Sequence, residues 1–168
     1  MVLALVLLLF GVWAHGAQAA DFKVMEGHGG PVMGIAVSEQ TGAVLTASFD
    51  NALGYWRGAS APLWLEGHEA AVKSVIFTRP GEAASGGDDF AIMVWDLQAG
   101  AVRHRLEGHR GQVVDLAVEG NLLASASWDG RIGVWNLETG ALVRWIEGHR
   151  SNVNAVAFSH QGYNLYSA

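Results

Sequence analysis

The tripeptide Glu-Gly-His occurs four times in this 168-residue chain at an almost constant spacing. Its histidines, His28, His68, His109 and His149, follow one another at intervals of 40, 41 and 40 residues. Self-similarity at a fixed period of this kind is typical of repeat architectures, in which each unit is one small supersecondary structure. The spacing therefore predicts a fold that stacks copies of one short unit.

Each unit has the pattern of four short strands. After each histidine comes an alternating, β-branched stretch, and the four copies read VMGIAV, VKSVIF, VVDLAV and VNAVAF. A second strand is predicted at AVLTAS, EAASGG, LLASAS and NLYSA, a third at NALGYW, AIMVWD and RIGVWN, and a fourth before the next Gly-His, as in PLWLEGH. A small sheet that is apolar on both faces cannot stand alone, and radial stacking buries it. The predicted fold is all-β, with propeller blades of four antiparallel strands.

Two further positions recur in register with the histidines. In each complete repeat a Ser or Thr lies four residues before an Asp, and a Trp follows that Asp by six residues. Together with Gly-His, this pattern resembles the WD-repeat family over residues 21–168. Only Trp95 is followed by the literal Asp of the family name.

The resemblance implies a buried hydrogen-bonded tetrad in each blade. The indole N–H donates to the hydroxyl, the hydroxyl to one imidazole nitrogen, and the other imidazole N–H to the carboxylate. The implied tetrads are His28, Thr46, Asp50 and Trp56; His68, Ser85, Asp89 and Trp95; His109, Ser125, Asp129 and Trp135; and the partial set His149 and Ser167. A Ser-His-Asp nucleophile is the rival interpretation, and it fails because the same set occurs three times and the Trp engages the hydroxyl. On the outer strands, Trp64 and Trp145 are expected to pack between blades.

The fourth repeat stops before its Asp and Trp, whereas the resemblance implies a ring of about seven blades. We therefore expect an incomplete arc, belonging to the N-terminal part of a longer protein. In the complete ring of that longer protein, residues 21–25 would be the outer strand that joins the last blade and closes the ring. The predicted repeats are about 21–60, 61–100, 101–140 and a truncated 141–168.

Residues 1–19 are predicted to be a signal peptide. Residues 2–14 form an unbroken apolar run, and the following Ala17-Gln18-Ala19 has the small-x-small form that a signal peptidase accepts. The run is shorter than the roughly 18 to 20 residues that cross a bilayer. No Lys or Arg precedes it, so an uncleaved anchor is the alternative. We expect an exported, periplasmic protein whose propeller, residues 20–168, is not stably inserted in a membrane once the signal is cleaved.

Composition excludes several classes of function. The 16 acidic and 10 basic side chains give a formal net charge of −6, and the basic ones are scattered, so nucleic acid is not expected as a partner. The absence of cysteine excludes disulfides, thiolate catalysis and C-x-x-C-H haem attachment within these residues. His104 and His160 have no ligand partner at a recognisable spacing. We expect no catalytic residue, metal, cofactor or small-molecule ligand.

The resemblance also implies a partner-binding face. Family contact positions lie three and five residues after the Gly-His histidine and just before the tetrad Asp. In this chain they are Pro31, Met33, Phe49, Ala71, Lys73, Asp88, Gln112, Val114, Trp128, Asn152 and Asn154. Met33, Phe49 and Trp128 are the informative members, because large apolar side chains at solvent-facing positions are typical of binding hot spots. The alternative is that loops cover them or that they pack around the central channel.

These features predict a non-catalytic interaction scaffold that presents a propeller face to a protein or peptide in the bacterial envelope. Two alternatives come from other classes. One is a propeller docking module of a larger electron-transfer protein, a c-type cytochrome fusion whose haem domain lies outside this chain. The other is a propeller that binds a small molecule or catalyses a reaction in its central channel. Fold alone does not choose among them.

Overall fold

The computed structural model describes residues 24–159 and 164–168. The predicted signal peptide, the first three residues of the predicted 21–25 strand, and His160 lie outside the described residues. Across the described ranges the chain forms fourteen strands and no helix, which confirms the all-β prediction. It follows that this part of the protein has no helix long and apolar enough to cross a membrane.

Three four-stranded antiparallel sheets and one two-stranded sheet follow one another along the chain, and we call them blades 1 to 4. Blade 1 comprises β1 (Val32–Val37), β2 (Val44–Ser48), β3 (Ala52–Trp56) and β4 (Leu63–Glu66). Blade 2 comprises β5 (Val72–Arg79), β6 (Glu82–Gly87), β7 (Ile92–Asp96) and β8 (Ala101–Leu106). Blade 3 comprises β9 (Val113–Glu119), β10 (Leu122–Ser127), β11 (Arg131–Asn136) and β12 (Leu142–Glu147), and blade 4 comprises β13 (Val156–Phe158) and β14 (Leu165–Ser167).

Within each complete blade the strands pair in chain order, as short connections between antiparallel neighbours require. The register is shared between blades. The tetrad hydroxyl residue of the second strand pairs with the middle of the first strand, as Thr46 does with Ile35 and Ser85 does with Val75. Each outer strand leads into the next Glu-Gly-His, so a blade is offset from a sequence repeat by one strand.

Blade 4 differs from the prediction at its first strand. The stretch VNAVAF predicts a strand from Val153, but β13 begins at Val156. The amides of Asn154 and Ala155 both donate to the carbonyl of Ala168, at 2.6 and 3.1 Å. Blades 1 to 3 have a similar register shift at the start of their first strands. The difference in blade 4 is that the ladder with β14 pairs only Val156, Ala157 and Phe158, so Val153 has no paired residue.

The apolar cores lie between blades. One cluster joins blades 1 and 2 and includes Leu53, Leu65 and Val75, and two similar clusters join blades 2 to 3 and 3 to 4. Burying one such side chain contributes about 1.5–3 kcal/mol. Stability therefore comes from stacking one sheet on the next, as the apolar character of both sheet faces predicts.

Among the described residues, none forms such a neighbour on the outward face of blade 1. Ile35 on β1 is 64% exposed, whereas its equivalent on β5, Val75, is 9% exposed because blade 1 covers it. Val37 is likewise exposed, and its equivalent Phe77 packs against the first cluster. The blades form an open arc, which confirms the predicted incomplete propeller.

Candidate functional site

In each complete blade the tetrad residues form one hydrogen-bonded chain. In blade 2, Trp95 Nε1 donates to Ser85 Oγ at 2.8 Å, Ser85 Oγ lies 2.7 Å from His68 Nε2, and His68 Nδ1 lies 2.9 Å from Asp89 Oδ2. The corresponding distances are 2.9, 2.7 and 2.9 Å in blade 1 and 2.9, 2.8 and 2.9 Å in blade 3. The arrangement requires a proton on imidazole Nδ1, because Nε2 accepts from the hydroxyl.

The partial tetrad of blade 4 keeps its one bond. His149 Nε2 lies 2.8 Å from Ser167 Oγ, but both residues are exposed. In the complete blades the hydroxyl residue is buried. The contrast shows that burial of the hydroxyl accompanies the Trp and Asp of a complete blade.

The tetrad carboxylates also join the two turns at one edge of each blade. Asp129 accepts from the amide of Arg110, after the Gly-His pair, and from the amide of Arg131 on β11, each at 2.9 Å. Asp89 accepts equivalent amides at 3.1 and 3.3 Å, and Asp50 does so at 2.7 and 3.1 Å. Each carboxylate thereby holds the Gly-His turn against the turn between the second and third strands.

These contacts shift the titration of the tetrad in blade 3. Burial raises the pKa of Asp129, but the hydrogen bonds from the Arg110 amide and from His109 lower it. The charge of His109 and the hydrogen bond from the Arg131 amide lower it further. The net result is a pKa lowered from 3.8 to about 2. Burial lowers the pKa of His109, and the hydrogen bond and charge of Asp129 offset this only in part. The pair is therefore a neutral imidazole beside a carboxylate at neutral pH.

The geometry leaves the tetrads without a free reactive group. The hydroxyls of Ser85 and Ser125 are fully buried, and each accepts an indole N–H. Nor do the described residues contain a group of three or more His, Cys, Asp or Glu side chains able to hold a metal ion. We therefore keep the structural interpretation of the tetrads.

The outer strands of blades 1 and 3 add a tryptophan to the tetrad. The ring of Trp64 lies edge-on to His28 and Trp56, with centroids 4.9 and 5.8 Å apart. In blade 3 the equivalent distances from Trp145 are 4.8 and 5.5 Å. Both indoles contact the tetrad of their own blade, and Trp145 also packs against the apolar cluster that joins blades 2 and 3, in line with the expectation that it packs between blades. For Trp64 that expectation stays a prediction.

The predicted contact positions lie at one edge of the sheets. The first and second strands are antiparallel, so the start of one and the end of the other meet, as Val32 and Ser48 do in blade 1. Phe49 is 51% exposed and Trp128 is 46% exposed, and Met33 is exposed as well. The remaining exposed members are Pro31, Asn152 and Asn154, and the partly exposed ones are Lys73, Asp88, Gln112 and Val114. Ala71 is buried and offers almost no surface.

Neighbouring blades contact each other across this face. Lys73 Nζ lies 4.6 Å from the centre of the Phe49 ring and 3.3 Å from Asp88 Oδ2. One junction further on, Trp128 Nε1 donates to Asn154 Oδ1 at 3.1 Å. The residue before a tetrad Asp thus meets the fifth residue after the next Gly-His histidine, and this pairing holds the exposed rings in place.

Phe90 was not among the predicted contact positions, yet it lies in the same turn as Asp88. It is 43% exposed and has a φ of +65°. The equivalent residues of blades 1 and 3 are Asn51 and Gly130, the types that tolerate this conformation. Aligning the repeats places Phe90 at the position of Asn51 and Gly130, so the sequence alone could have singled out this residue.

A model of the family described as WD domain, G-beta repeat matches residues 62–96, 100–136 and 140–168, which is more than half of the chain. The chain is 30% identical over 102 residues to the ribosome biogenesis protein YTM1 of Coccidioides immitis (strain RS), covering 55% of this chain and 22% of that protein. It is 39% identical over 71 residues to coronin-7 of Homo sapiens, covering 40% and 8%.

A third relative is the mitochondrial division protein 1 of Pyricularia oryzae, 39% identical over 66 residues, with 39% of this chain and 10% of that protein covered. The chain spans less than a quarter of the length of each of these three relatives. The chain therefore belongs to the WD40 family, whose β-propellers generally bind other proteins and are typical of interaction scaffolds.

Proposed function

We propose that this protein is a non-catalytic scaffold that binds a protein or peptide partner at the edge of the sheets where Phe49 and Trp128 lie. The observation that carries the proposal is the exposure of Phe49 and Trp128 on turns of a rigid sheet stack. Aromatic side chains in such positions supply the large apolar area of a binding hot spot. Binding residues are also common on loops that a rigid scaffold holds in place.

The contacts around both rings support this proposal. Lys73 lies over the Phe49 ring and Asn154 accepts from the Trp128 indole, so both side chains are held by a neighbouring blade before any partner arrives. A side chain that is already ordered loses less conformational entropy on binding.

Replacing both rings tests the proposal. Affinity capture from extracts of the source organism, with quantitative mass spectrometry, compares the wild-type chain with a Phe49→Ala/Trp128→Ala variant. A matched control is Val143→Ala/Tyr166→Ala, which removes two exposed apolar side chains away from this face. We expect a protein that the wild type and the control capture and the double variant loses. Equal capture by all three would contradict the proposal.

We also propose that the protein is exported, on the basis of the apolar residues 2–14 and the Ala17-Gln18-Ala19 site. Cell fractionation with mass determination of the N-terminus tests this. The expected mature chain begins at Ala20 and occurs outside the cytoplasm. An intact Met1 on a cytoplasmic protein would contradict it.

A further inference from the structure

The sheets have a second edge, opposite to the one that carries the Gly-His turns, where the first and third strands of each blade end. At the junction of blades 1 and 2 this edge contains a groove of about 320 Å³. One wall is the loop after β1, residues 38–41, and the other is the turn between β5 and β6, residues 78–81. None of the contact positions predicted from the repeat lines this groove, so it is a surface separate from Phe49 and Trp128.

The floor of the groove is aromatic. Tyr55 on β3 and Phe77 on β5 meet edge to face, with ring centroids 6.3 Å apart, and both side chains are partly exposed. At the next junction the equivalent residues are Val94 and Val118, so the aromatic pair is not a requirement of blade stacking. Aromatic rings at an open groove offer a large apolar contact area to a side chain of a partner.

The residue that follows the third-strand Trp is different in blade 1. In blades 2 and 3 it is Asp96 or Asn136, whose Oδ1 accepts two amides of the following turn at 2.8 to 3.1 Å. Arg57 has no acceptor atom and cannot cap its turn in this way. Its exposed guanidinium instead lies 5.2 Å from the centre of the Tyr55 ring. Blade 1 therefore has a cation beside the aromatic floor where the other complete blades have a turn-capping acceptor.

Two charges at the groove are uncompensated. Arg79 is not one of them, because it donates to the buried carboxylate of Glu82, which also accepts from Arg103. Arg57 forms no ion pair with a carboxylate in the described part of the chain, and neither does the groove-lining Glu39 with a cation. Glu39 lies on the loop after the inner strand and Arg57 follows the third strand, with β2 between those strands. The groove is therefore basic towards its outer end and acidic towards its inner end.

From this arrangement we infer that the groove binds a peptide segment in which an aromatic or aliphatic side chain is next to an Asp or Glu. The apolar side chain packs on Tyr55 and Phe77, and the carboxylate accepts from Arg57. A guanidinium that lies over a ring keeps its N–H groups available for such a pair. Glu39 repels an acidic side chain from the inner end, which fixes the direction of the segment. The scaffold then has binding sites at two opposite edges, which goes beyond the proposed function.

The test starts from the Phe49→Ala/Trp128→Ala variant, which lacks the rings of the other proposed site. A library of random peptides displayed on phage is selected on this variant, and the enriched peptides are synthesised with a fluorophore. Fluorescence anisotropy then gives their dissociation constants for the wild-type chain, for Arg57→Glu and for Gln40→Trp. Gln40 is an exposed residue that lines the groove, and an indole at this position fills it.

Arg144→Glu is the matched control. It makes the same change of charge at another exposed arginine, on the outer strand β12 and away from the groove. Melting temperatures of all variants are recorded in parallel. We expect them to stay close to that of the wild type, because Arg57, Gln40 and Arg144 are all exposed.

We expect the enriched peptides to contain a large apolar residue beside Asp or Glu. Their affinity falls about tenfold or more on Arg57→Glu, because an attractive charge pair becomes a repulsive one, and on Gln40→Trp, because the groove is filled. Arg144→Glu keeps the wild-type affinity. Replacing the acidic residue of the peptide with Lys weakens binding to the wild type and restores binding to Arg57→Glu. A variant that had merely lost its fold would not show this crossed pattern.

Other results overturn the inference. Peptides that bind the wild type, Arg57→Glu and Gln40→Trp equally, or a selection that yields no binder, would refute the groove as a site. Because the selecting variant lacks the Phe49 and Trp128 rings, either failure leaves the proposed function standing. Peptides that lose affinity on Gln40→Trp but keep it on Arg57→Glu would refute the recognition of an acidic residue.

Discussion

Blade 2 covers its Gly-His turn with a different side chain from blades 1 and 3. A Cβ at Gly27 would come within 2.7 Å of Trp64 Cζ2, and one at Gly108 within 2.9 Å of Trp145 Cζ2. At the equivalent Gly67 the nearest atoms are Met93 Sδ and Trp95 Cη2, both at 3.1 Å. An outer-strand indole therefore fills this space in two blades, and a third-strand thioether fills it in the other.

The exchange involves directly paired positions. Trp64 pairs with Gly54 and Trp145 with Gly133, whereas in blade 2 Arg105 pairs with Met93. A large residue on one strand thus accompanies glycine on the other. One volume over the Gly-His turn has to be filled, and either strand can supply the side chain. Because protein interiors are closely packed, the space must be filled, and a Trp on the outer strand or a Met on the third strand can fill it while the strand pairing stays the same.

In blade 2 the exchange frees the outer-strand position for a charge. Arg105 Nε donates to Glu107 at 2.8 Å, and Nη2 lies 3.8 Å from Asp89 and 3.9 Å from Glu69. The hydrogen bond to Glu107, with the nearby charges of Asp89 and Glu69, raises the pKa of Arg105 against the opposing effect of burial. Blade 2 therefore places Arg105 and its acidic partners beside the tetrad, where blades 1 and 3 place an aromatic ring. Blade 3 also pairs its tetrad carboxylate with Arg131, whose Nη2 lies 3.0 Å from Asp129 Oδ2.

The largest effect is expected from Trp135→Ala in blade 3. The indole is almost fully buried, lies edge-on to Trp145 and donates to Ser125. The loss creates a cavity and removes the N–H that donates to Ser125 Oγ, so the free energy of unfolding should fall by about 3–5 kcal/mol. Urea unfolding followed by fluorescence measures it. A loss under about 1 kcal/mol would remove both the tetrad and the aromatic stack as sources of stability.

The next effect separates the two kinds of blade. Gly108 has a φ of +135°, and an added Cβ meets the rigid Trp145 ring, so Gly108→Ala should destabilise by about 1–3 kcal/mol. Gly67→Ala is the matched variant in blade 2. There the nearest atoms, Met93 Sδ and Trp95 Cη2, lie at 3.1 Å, and Gly67 does not have a positive φ, so we expect a smaller loss. If thermal unfolding showed the same loss of stability for both variants, the proposed difference between the side chains over the two Gly-His turns would be wrong.

Acid should weaken blade 3 through two groups. The folded pKa of Asp129, about 2, lies below its ordinary value of 3.8, so its contribution is present above about pH 4 and is lost as the pH falls towards 2. The pKa of His109 is also lowered, so the unfolded chain binds that proton first and stability starts to fall below about pH 6.5. Unfolding free energies of wild type and Asp129→Asn across this range test it. Parallel pH profiles would rule out Asp129 as the acid-sensitive group.

The smallest effect is expected from Arg105→Ala. Its ion pairs are partly exposed, and such pairs contribute about 0–1 kcal/mol. Added salt should reduce the difference from wild type, because salt screens exposed charges. Trp145→Ala, the equivalent truncation in blade 3, should cost more, because it removes an aromatic ring that packs on the tetrad. A larger loss for Arg105→Ala would reverse the comparison between blades.

The fold was predictable from the repeat because its determinants are local. The period of the Glu-Gly-His units, the alternation within each strand and the fixed offsets of Ser or Thr, Asp and Trp place all the strands of blades 1 to 3. Blade 4 shows where local pattern stops being sufficient. Val153 continues the alternation, but a strand needs a paired neighbour, and β14 pairs only with Val156–Phe158.

The candidate binding face was predictable in position but not in detail. The offsets from each histidine and Asp find the edge that exposes Phe49 and Trp128. They do not show that Ala71 is buried or that Lys73 lies over the Phe49 ring. Both facts depend on how one blade is set against the next, and the repeat contains no information about that angle.

By itself the sequence determined an all-β chain of stacked four-stranded units, each with its own set of tetrad residues. It did so because strand alternation, turn residues and hydrogen-bonding partners recur within about forty residues. Only the tertiary structure decided which side chain fills the space over each Gly-His turn, and which turn residue carries strain. Those outcomes depend on packing between strands and blades, where one volume can be filled from either side.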